Sequence, residues 1–354
     1  MRVSILKVSI VMSTYNGEKY VKEQLNSFTT QTVQPDELII VDDCSNDSTY
    51  DILLDFKKTA PFKVIIKRNK ENIGKSAFNG FSKVFSEGAS MATGDIIFFS
   101  DQDDVWFPGK IEKHLEIYKL NNDIVTVIND AMRTNRSLKS FGLTQMSLFE
   151  ILGFSLTSNI IGCCCSIKSE FLKFLLPVPG FASHDSIVAN CCNALGIRYI
   201  CKDVLQFYRR NESATMSKAQ WFHFYNIVKK PNILVVVLAS VFKKVNLLFS
   251  LSKASYINEI NYGTATFEFG KKILAETDFK NKNLINNKME EIARRNNFVN
   301  EEINLINLPA SARLNKVISW YKEKKIEKNL QGLIRGVKDF LLPIMENLNT
   351  KSSE

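Results

Sequence analysis

Gly94-Asp95-Ile96-Ile97-Phe98-Phe99-Ser100-Asp101-Gln102-Asp103-Asp104-Val105-Trp106-Phe107-Pro108 is the stretch that decides the fold. A short apolar run, β-branched and aromatic, ends abruptly in Asp101, Asp103 and Asp104. Such a run reads as a buried strand. The three acids then stand just past its carboxyl end, where open α/β sheets place their ligands. Carboxylates this close raise one another's pKa unless a cation or several donors neutralise them. A hard divalent ion does so economically. Mg²⁺ takes one or two protein carboxylates and completes its shell with phosphate oxygens and water, and Mn²⁺ accepts the same ligands. The competing reading is an acidic turn ahead of a helix that Pro108 starts at its first position.

Working back toward the N-terminus, residues 8–12 (VSIVM) predict a strand and residues 13–17 (STYNG) the loop leaving it. Val21, Leu25 and Phe28 follow at helical spacing. Residues 37–41 (ELIIV) predict a second strand, running into 42–49 (DDCSNDST) and a helix marked by Ile52, Leu53 and Phe56. Ser48 and Asp51 read as its capping box. Residues 62–66 give a third strand and 69–75 a polar loop, after which Ala77, Phe81, Val84, Phe85 and Gly88 line a helical face. Four strands alternating with three helices imply a mostly parallel sheet with right-handed crossovers, its polar loops gathered at one rim. Tyr15, Asp43, Asn72 and the acids of residues 101–104 would share that rim. Tyr15 offers a flat face to a base, and Asp43 an acceptor for a base or ribose donor. Each alone reads equally well as a turn or cap residue; their recurrence at four consecutive strand ends argues for a site.

Toward the C-terminus, residues 124–129 predict a strand and 159–167 another, whose Gly162 lets a ligand or backbone approach. Between them, residues 130–154 read as an irregular, acceptor-facing loop. Residues 177–183 (PVPGFAS) cannot continue a helix and deliver His184 and Asp185 to the start of the apolar stretch 187–195. Asp185 reads as a helix cap or as a functional acid, and His184 as a surface histidine or a positioning group. Residues 204–211 predict an edge strand ending in Arg209 and Arg210. From residue 217 the chain is rich in Lys and Asn and helical in pattern, including Leu314, Ile318 and Tyr321 and then Leu330, Ile334, Val337 and Leu341. Residues 233–242, followed by Lys243, Lys244 and the apolar 245–249, fall short of the roughly 20 apolar residues that span a bilayer. They read either as a helix packed on the rest of the protein or as one lying in a membrane interface, its lysines on anionic headgroups.

The chain has 354 residues, enough for two domains or one with an appendage, and a formal charge of +9. That charge fits an acidic partner without choosing among them. No nucleic-acid fold signature accompanies it, so nucleic acid is not expected. Cys44, Cys163, Cys164, Cys165, Cys191, Cys192 and Cys201 have neither zinc-ribbon nor disulfide-framework spacing and read as buried thiols in a reducing cytoplasm. Residues 1–12 lead into a polar turn without a cleavage-like site, so they read as a first strand and secretion is not expected.

The pieces VSIVMSTYN (8–16), IIVDDCSNDST (39–49), Asn72-Ile73-Gly74, Gly94-Asp95-Ile96 and SDQDDVWFP (100–108), in this order and spacing, resemble the family 2 glycosyltransferases. The likeness is greatest to rhamnosyltransferase-like members of bacterial surface-polysaccharide pathways and covers the chain to about Arg210. It implies a GT-A fold: an α/β, mostly parallel but mixed sheet flanked by helices. The implied division is a catalytic domain over 1–215, with its nucleotide-binding half to about 105 and its acceptor half over 106–215, and a helical C-terminal region over 216–354. Thr14, Tyr15, Asn16, Asp42, Asp43, Asn72, Gly74, Lys75, Asp101 and Gln102 are expected at the nucleotide sugar, and Asp103 with Asp101 at a Mg²⁺ or Mn²⁺ ion. Trp106, His184 and Arg209 are expected on the acceptor and diphosphate side, with Asp185 the base of an inverting transfer. Asn211 stands where relatives carry the histidine of Tyr-Arg-x-His, so no metal or phosphate role is carried over to it, and Arg210 reads as a solvated basic turn. The implied donor is dTDP- or UDP-linked, the DQDDVW form leaning toward dTDP-rhamnose. The implied acceptor is a saccharide on a polyprenyl diphosphate, met in the cytoplasm or peripherally at the inner face of the cell membrane. A sugar nucleotidyltransferase is the main rival, but it needs a Gly-rich basic loop after the first strand, and residues 13–17 hold one glycine and no arginine. A non-catalytic nucleotide-sugar-binding relative would have lost an acid, whereas Asp101, Asp103 and Asp185 are all present.

Overall fold

The computed structural model describes residues 6–75, 80–151, 154–210 and 253–305, with a few positions between 312 and 320. Strands β1 (Val8–Thr14), β2 (Glu37–Asp42), β3 (Lys63–Arg68) and β4 (Ile96–Ser100) alternate with helices α1 (Val21–Thr29), α2 (Thr49–Thr59) and α3 (Gly80–Met91). They pair in parallel in the order β3-β2-β1-β4, as the alternation predicts. β1, β2 and β4 are buried at every position, which is why they read as continuous apolar runs. Successive side chains point to opposite faces. Ile10, Met12, Leu38, Ile40 and Phe98 join Leu25, Phe28 and Trp106 in the main core. Val11, Ile39 and Val41 meet α3 instead, where Gly88 allows the approach: a Cβ there would lie 2.6 Å from Val11.

The chain continues through β5 (Val105–Trp106), α4 (Lys110–Leu120), β6 (Thr126–Thr134), β7 (Ser140–Thr144), α5 (Gln145–Ile151), β8 (Cys165–Lys168), α6 (Ser169–Leu172), α7 (His184–Ala194) and β9 (Arg198–Arg209). The sheet has nine strands in the order β3-β2-β1-β4-β8-β6-β9-β5, with β7 paired to β6. β8 runs antiparallel to both β4 and β6, so the sheet is mixed.

Several expectations are corrected in this second half. Residues 130–154 are not an irregular loop: β6 extends through Thr134, turns back as β7 and leads into α5. The polar residues that suggested a loop are buried and bonded internally, Asp130 accepting from Met146 N at 2.8 Å and Arg133 donating to Gln145 at 2.5 Å. The strand expected over 204–211 is not an edge within its described residues: β9 starts earlier, at Arg198, and β5 pairs on its outer side at Gln206 and Phe207. The strand expected over 159–167 is broken by a 3₁₀ turn at Gly162–Cys164, and only Cys165–Lys168 pairs into the sheet. α4 begins at Lys110 behind Gly109 rather than at Pro108. Ser48 makes no side-chain cap bond; Asp47 caps α2 by accepting from Thr49 N at 3.0 Å.

Two further helices follow, α8 (Lys253–Glu276) and α9 (Lys282–Leu305). The described residues fall into two units. One holds the sheet together with residues 268–288, where Phe279 packs 6.2 Å from Phe171 and Phe269 6.5 Å from Phe174. The other holds residues 253–267 and those from 289 on, with Phe298 edge-on to Trp320 at 4.9 Å and Arg295 bonded to Glu259 at 2.6 Å. The boundary drawn at 215, Asn211, the apolar stretch 233–249 and the pattern from Tyr321 on lie outside the described residues. Among the described helices, none is long and apolar enough to cross a membrane.

Gly94 enters β4 against backbone: a Cβ there would lie 2.7 Å from Ser9 N and 3.0 Å from Lys7 O. Neither atom can move without disturbing the β1 pairing. Gly94→Ala is expected to lower stability by about 1–3 kcal/mol in urea unfolding, the usual cost of overpacking.

Candidate active site at the carboxyl rim of the sheet

The loops after β1 and β2 are knitted together by short side chains. Asn16 and Cys44 hold left-handed backbone, with φ of 47° and 65°. Asn16 N donates to Ser45 Oγ at 3.0 Å, and Asn16 Oδ1 accepts from Asn46 N at 2.9 Å. Beneath them Asp42, fully buried, accepts from Thr14 Oγ1 at 3.0 Å and from Ser45 N at 3.1 Å. Asp42 and Thr14 are thus struts under the rim. Asp43 reaches the other way: Oδ1 accepts from Asn69 Nδ2 and Ile73 N, each at 2.9 Å, and Oδ2 from Gly74 N at 2.7 Å. Gly74 is required there, since a Cβ would lie 2.9 Å from Asp43 Oδ2. Asn72 Oδ1 accepts from Lys75 N at 2.7 Å, and the Lys75 side chain is exposed.

Gln102, expected at the sugar nucleotide, clamps two loops instead. Its Oε1 accepts from Tyr15 N and its Nε2 donates to Tyr15 O, both at 2.9 Å. Gly17 makes room for it, a Cβ there falling 2.2 Å from Gln102 Oε1. This clamp brings Tyr15 beside the acidic loop, as the shared-rim expectation requires.

Within that loop the three acids differ. Asp104 is fully buried, its Oδ1 accepting from Arg209 N and its Oδ2 from Gln206 Nε2, each at 3.0 Å. Asp101, Asp104 and Cys163 bring ligand-capable atoms within 4.8 Å of one another. Burial pushes the Asp101 carboxyl up to about 7, with neighbouring Asp103 and then Asp185 adding to the rise and the Cys163 thiol opposing it. Asp101, Asp103 and Asp185 therefore share one electrostatic neighbourhood, although Asp185 comes from a distant helix.

That helix is punctuated as expected. Ser183 and Ser186 form its capping box, so Asp185 is not the cap. Asp185 Oδ1 accepts from Ser186 N at 2.8 Å and from the Ser183 hydroxyl. Gly162 opens the space beside it: a Cβ there would lie 3.2 Å from Asp185 Cβ and 2.9 Å from His184 Nε2. The expected close approach at Gly162 is thus made by these side chains. The His184 ring stacks on Phe85 at 4.1 Å and meets Phe99 edge-on at 5.3 Å. Burial holds its imidazole below the ordinary pKa, against the pull of Asp185. It forms an uncharged floor behind the acid.

Two residues expected on the acceptor side are elsewhere. Trp106 is 2% exposed, packed between Phe28 at 4.9 Å and Phe98 at 5.6 Å, because β5 turns its ring into the core. The Arg209 guanidinium is engaged by Asp103 O at 2.7 Å, by Glu23 at 2.5 Å and by Arg136 O, and stacks 4.5 Å above Tyr20. It braces the acidic loop from behind. Sequence reading missed Lys110, whose ammonium is fully buried and donates to Cys163 O at 2.7 Å and to Gln206 Oε1 at 2.5 Å. The signal was present: Lys110, His114 and Tyr118 recur at i, i+4 and i+8 on the buried face of α4.

Residues 9–175 match the family model described as glycosyl transferase family 2. RfbG of Shigella flexneri, a dTDP-rhamnosyl transferase, is 30% identical over 217 residues, 57% of this chain and 72% of that protein. WfgD of Escherichia coli, a UDP-Glc:alpha-D-GlcNAc-diphosphoundecaprenol beta-1,3-glucosyltransferase, is 27% identical over 63% of this chain and 87% of its own. Two other curated relatives are spanned over only 36% and 40% of their length. Among solved structures, Staphylococcus aureus TarS 1-349 in complex with UDP-GlcNAc superposes with a TM-score of 0.51 at 16% identity, covering 97% of this chain and 92% of that one. The likeness is one of fold, GT-A in type.

The raised Asp101 carboxyl gives a stability signature. Between its ordinary value of 3.8 and about 7 the folded protein holds a proton that the unfolded chain releases, so this group's contribution to stability falls as pH rises through that window. Asp101 keeps part of its surface open to solvent, which moderates the effect. In metal-free protein, Asp101→Asn is expected to raise stability by about 1–3 kcal/mol above about pH 7 and to leave it nearly unchanged near pH 4, read by urea unfolding at both pH values.

Proposed function

The chain belongs to glycosyl transferase family 2, and on that premise we propose that it is an inverting, divalent-cation-dependent glycosyltransferase. It moves a sugar from a nucleoside-diphosphate sugar to a saccharide acceptor in surface-polysaccharide synthesis. The observation that carries this reading is the convergence of Asp101, Asp103 and Asp185 at one rim, beside the loops that bear Tyr15 and Asp43.

The donor set fits a hard cation. Asp101 and Asp103 offer carboxylate oxygens, and the raised Asp101 carboxyl marks an excess of negative charge that a cation relieves. Asp104 is the weaker candidate, since both its oxygens already accept hydrogen bonds, and the Cys163 thiol suits softer metals. When bound, Mg²⁺ or Mn²⁺ supplies positive charge against the departing diphosphate. Tyr15 lies against the base and Asp43 shapes the pocket wall through residues 73 and 74, with Asn16, Asn72 and Lys75 at its edge. Asp185 takes the proton from the acceptor hydroxyl as that oxygen attacks the anomeric carbon opposite the diphosphate, which inverts the configuration. Its Oδ1 is fixed by Ser183 and Ser186, leaving Oδ2 toward Gly162 as the proton acceptor.

The likeness to RfbG and the DQDDVW motif support a dTDP- or UDP-linked donor, rhamnose or another hexose. The likeness to WfgD supports an acceptor carried on a polyprenyl diphosphate, reached from the cytoplasm at the inner face of the membrane.

The test is nucleoside diphosphate release across a panel of nucleotide sugars, with and without chelator; release that ignores the chelator would exclude the metal. Asp103→Ala is expected to abolish turnover. Asp185→Asn is expected to bind donor as the parent does while losing about 10²- to 10⁴-fold in transfer, the usual worth of a positioned base. Full activity in either variant removes that residue from its role.

A further inference from the structure

We propose that Lys110 is a positioning residue whose single buried cation holds the donor side and the base side of the cleft in one geometry. Lys110 sits on the first turn of α4 with no exposed surface, its ammonium 3.8 Å from the centre of the Trp106 ring. A core-facing position on such a helix is ordinarily apolar, and burying an ammonium there is costly unless its charge and donors are used. Its bonds to Cys163 and Gln206 both lead toward the site. One goes to Cys163 O, in the turn where Gly162 leaves room for His184 and Asp185. The other goes to Gln206 Oε1 and fixes the orientation of that amide, so that Nε2 faces Asp104 Oδ2 at 3.0 Å and Cys163 Sγ at 3.4 Å. Asp104 then accepts from Arg209 N, and Arg209 Nε holds Asp103 O. The loop carrying Asp101 and Asp103 and the turn beside Asp185 are thus anchored to the same nitrogen.

Methionine fills nearly the volume of lysine without its charge, so Lys110→Met separates packing from anchoring. The proposal's meaning for sugar transfer rests on the reading above, but amide hydrogen exchange tests the anchor without metal, donor or turnover. In Lys110→Met, exchange is expected to rise about tenfold at residues 101–104 and also at 162–164, the loss expected when bonds from a charged donor are removed, while β2 and β3 keep their protection. Gln206→Met, which severs the branch to Asp104 and the weak bond to the Cys163 thiol but keeps the Lys110 bond to Cys163 O, is expected to loosen 101–104 more than 162–164. It also decides the matter should Lys110→Met fail to fold. Parental exchange at 101–104 in Gln206→Met, equal loosening of both segments in that variant, or parental exchange at either segment in folded Lys110→Met overturns the proposal. A parent protein that transfers no sugar would sink the functional reading and leave this result standing.

Discussion

Carboxylates cannot be gathered at the end of a buried strand without something to answer their charge, and much of the second half of this protein meets that constraint. Asp104 is answered by hydrogen bonds from Gln206 and from the backbone of Arg209. The loop that carries it is braced by the Arg209 guanidinium, and Lys110 stands beneath. Asp101 receives less, and its carboxyl rises to about 7. The residual imbalance is local, at a carboxyl that keeps part of its surface open to solvent.

The rim therefore holds two kinds of acid. Asp42, Asp43 and Asp104 have their oxygens occupied by donors of the protein itself and set the shape of the loops. Asp185 has one oxygen fixed by its own helix cap and the other turned to the space that Gly162 keeps clear. The division follows depth: Asp42, Asp43 and Asp104, below the rim, are satisfied by backbone amides and by amide and hydroxyl side chains.

The first half of the fold was legible because β1, β2 and β4, covered on both faces, must be apolar at every position, and their ends are marked by polar loops. The start of α7 at His184 was legible through the proline- and glycine-rich residues that stop the chain just before it. What escaped was whatever depends on distant partners. The two residues of β5 carry no period of their own and exist because β9 pairs with them. Trp106 follows acids and precedes a turn, so its place in the core is visible only once Phe28 and Phe98 surround it. The stripe of Lys110, His114 and Tyr118 escaped because apolarity is the usual marker of burial, yet each is bonded inside, His114 to Ser166 at 2.7 Å and Tyr118 to the carbonyl of the same residue at 2.9 Å. The polar run after residue 130 misled for the same reason.

The reversed direction of β8 has a consequence for the order in which the protein assembles. A strand antiparallel to its neighbours begins where they end, so the turn before β8 arrives at the very rim that β4 supplies with acids. The parallel units from β1 to β4 join segments close in sequence, whereas β4 with β8 and β5 with β9 join segments far apart. Loop-closure entropy sets such pairings late. As the chain leaves the ribosome, β1 to β4 are all synthesised before β8 and β9, and the rim is complete only once these late strands have found their places.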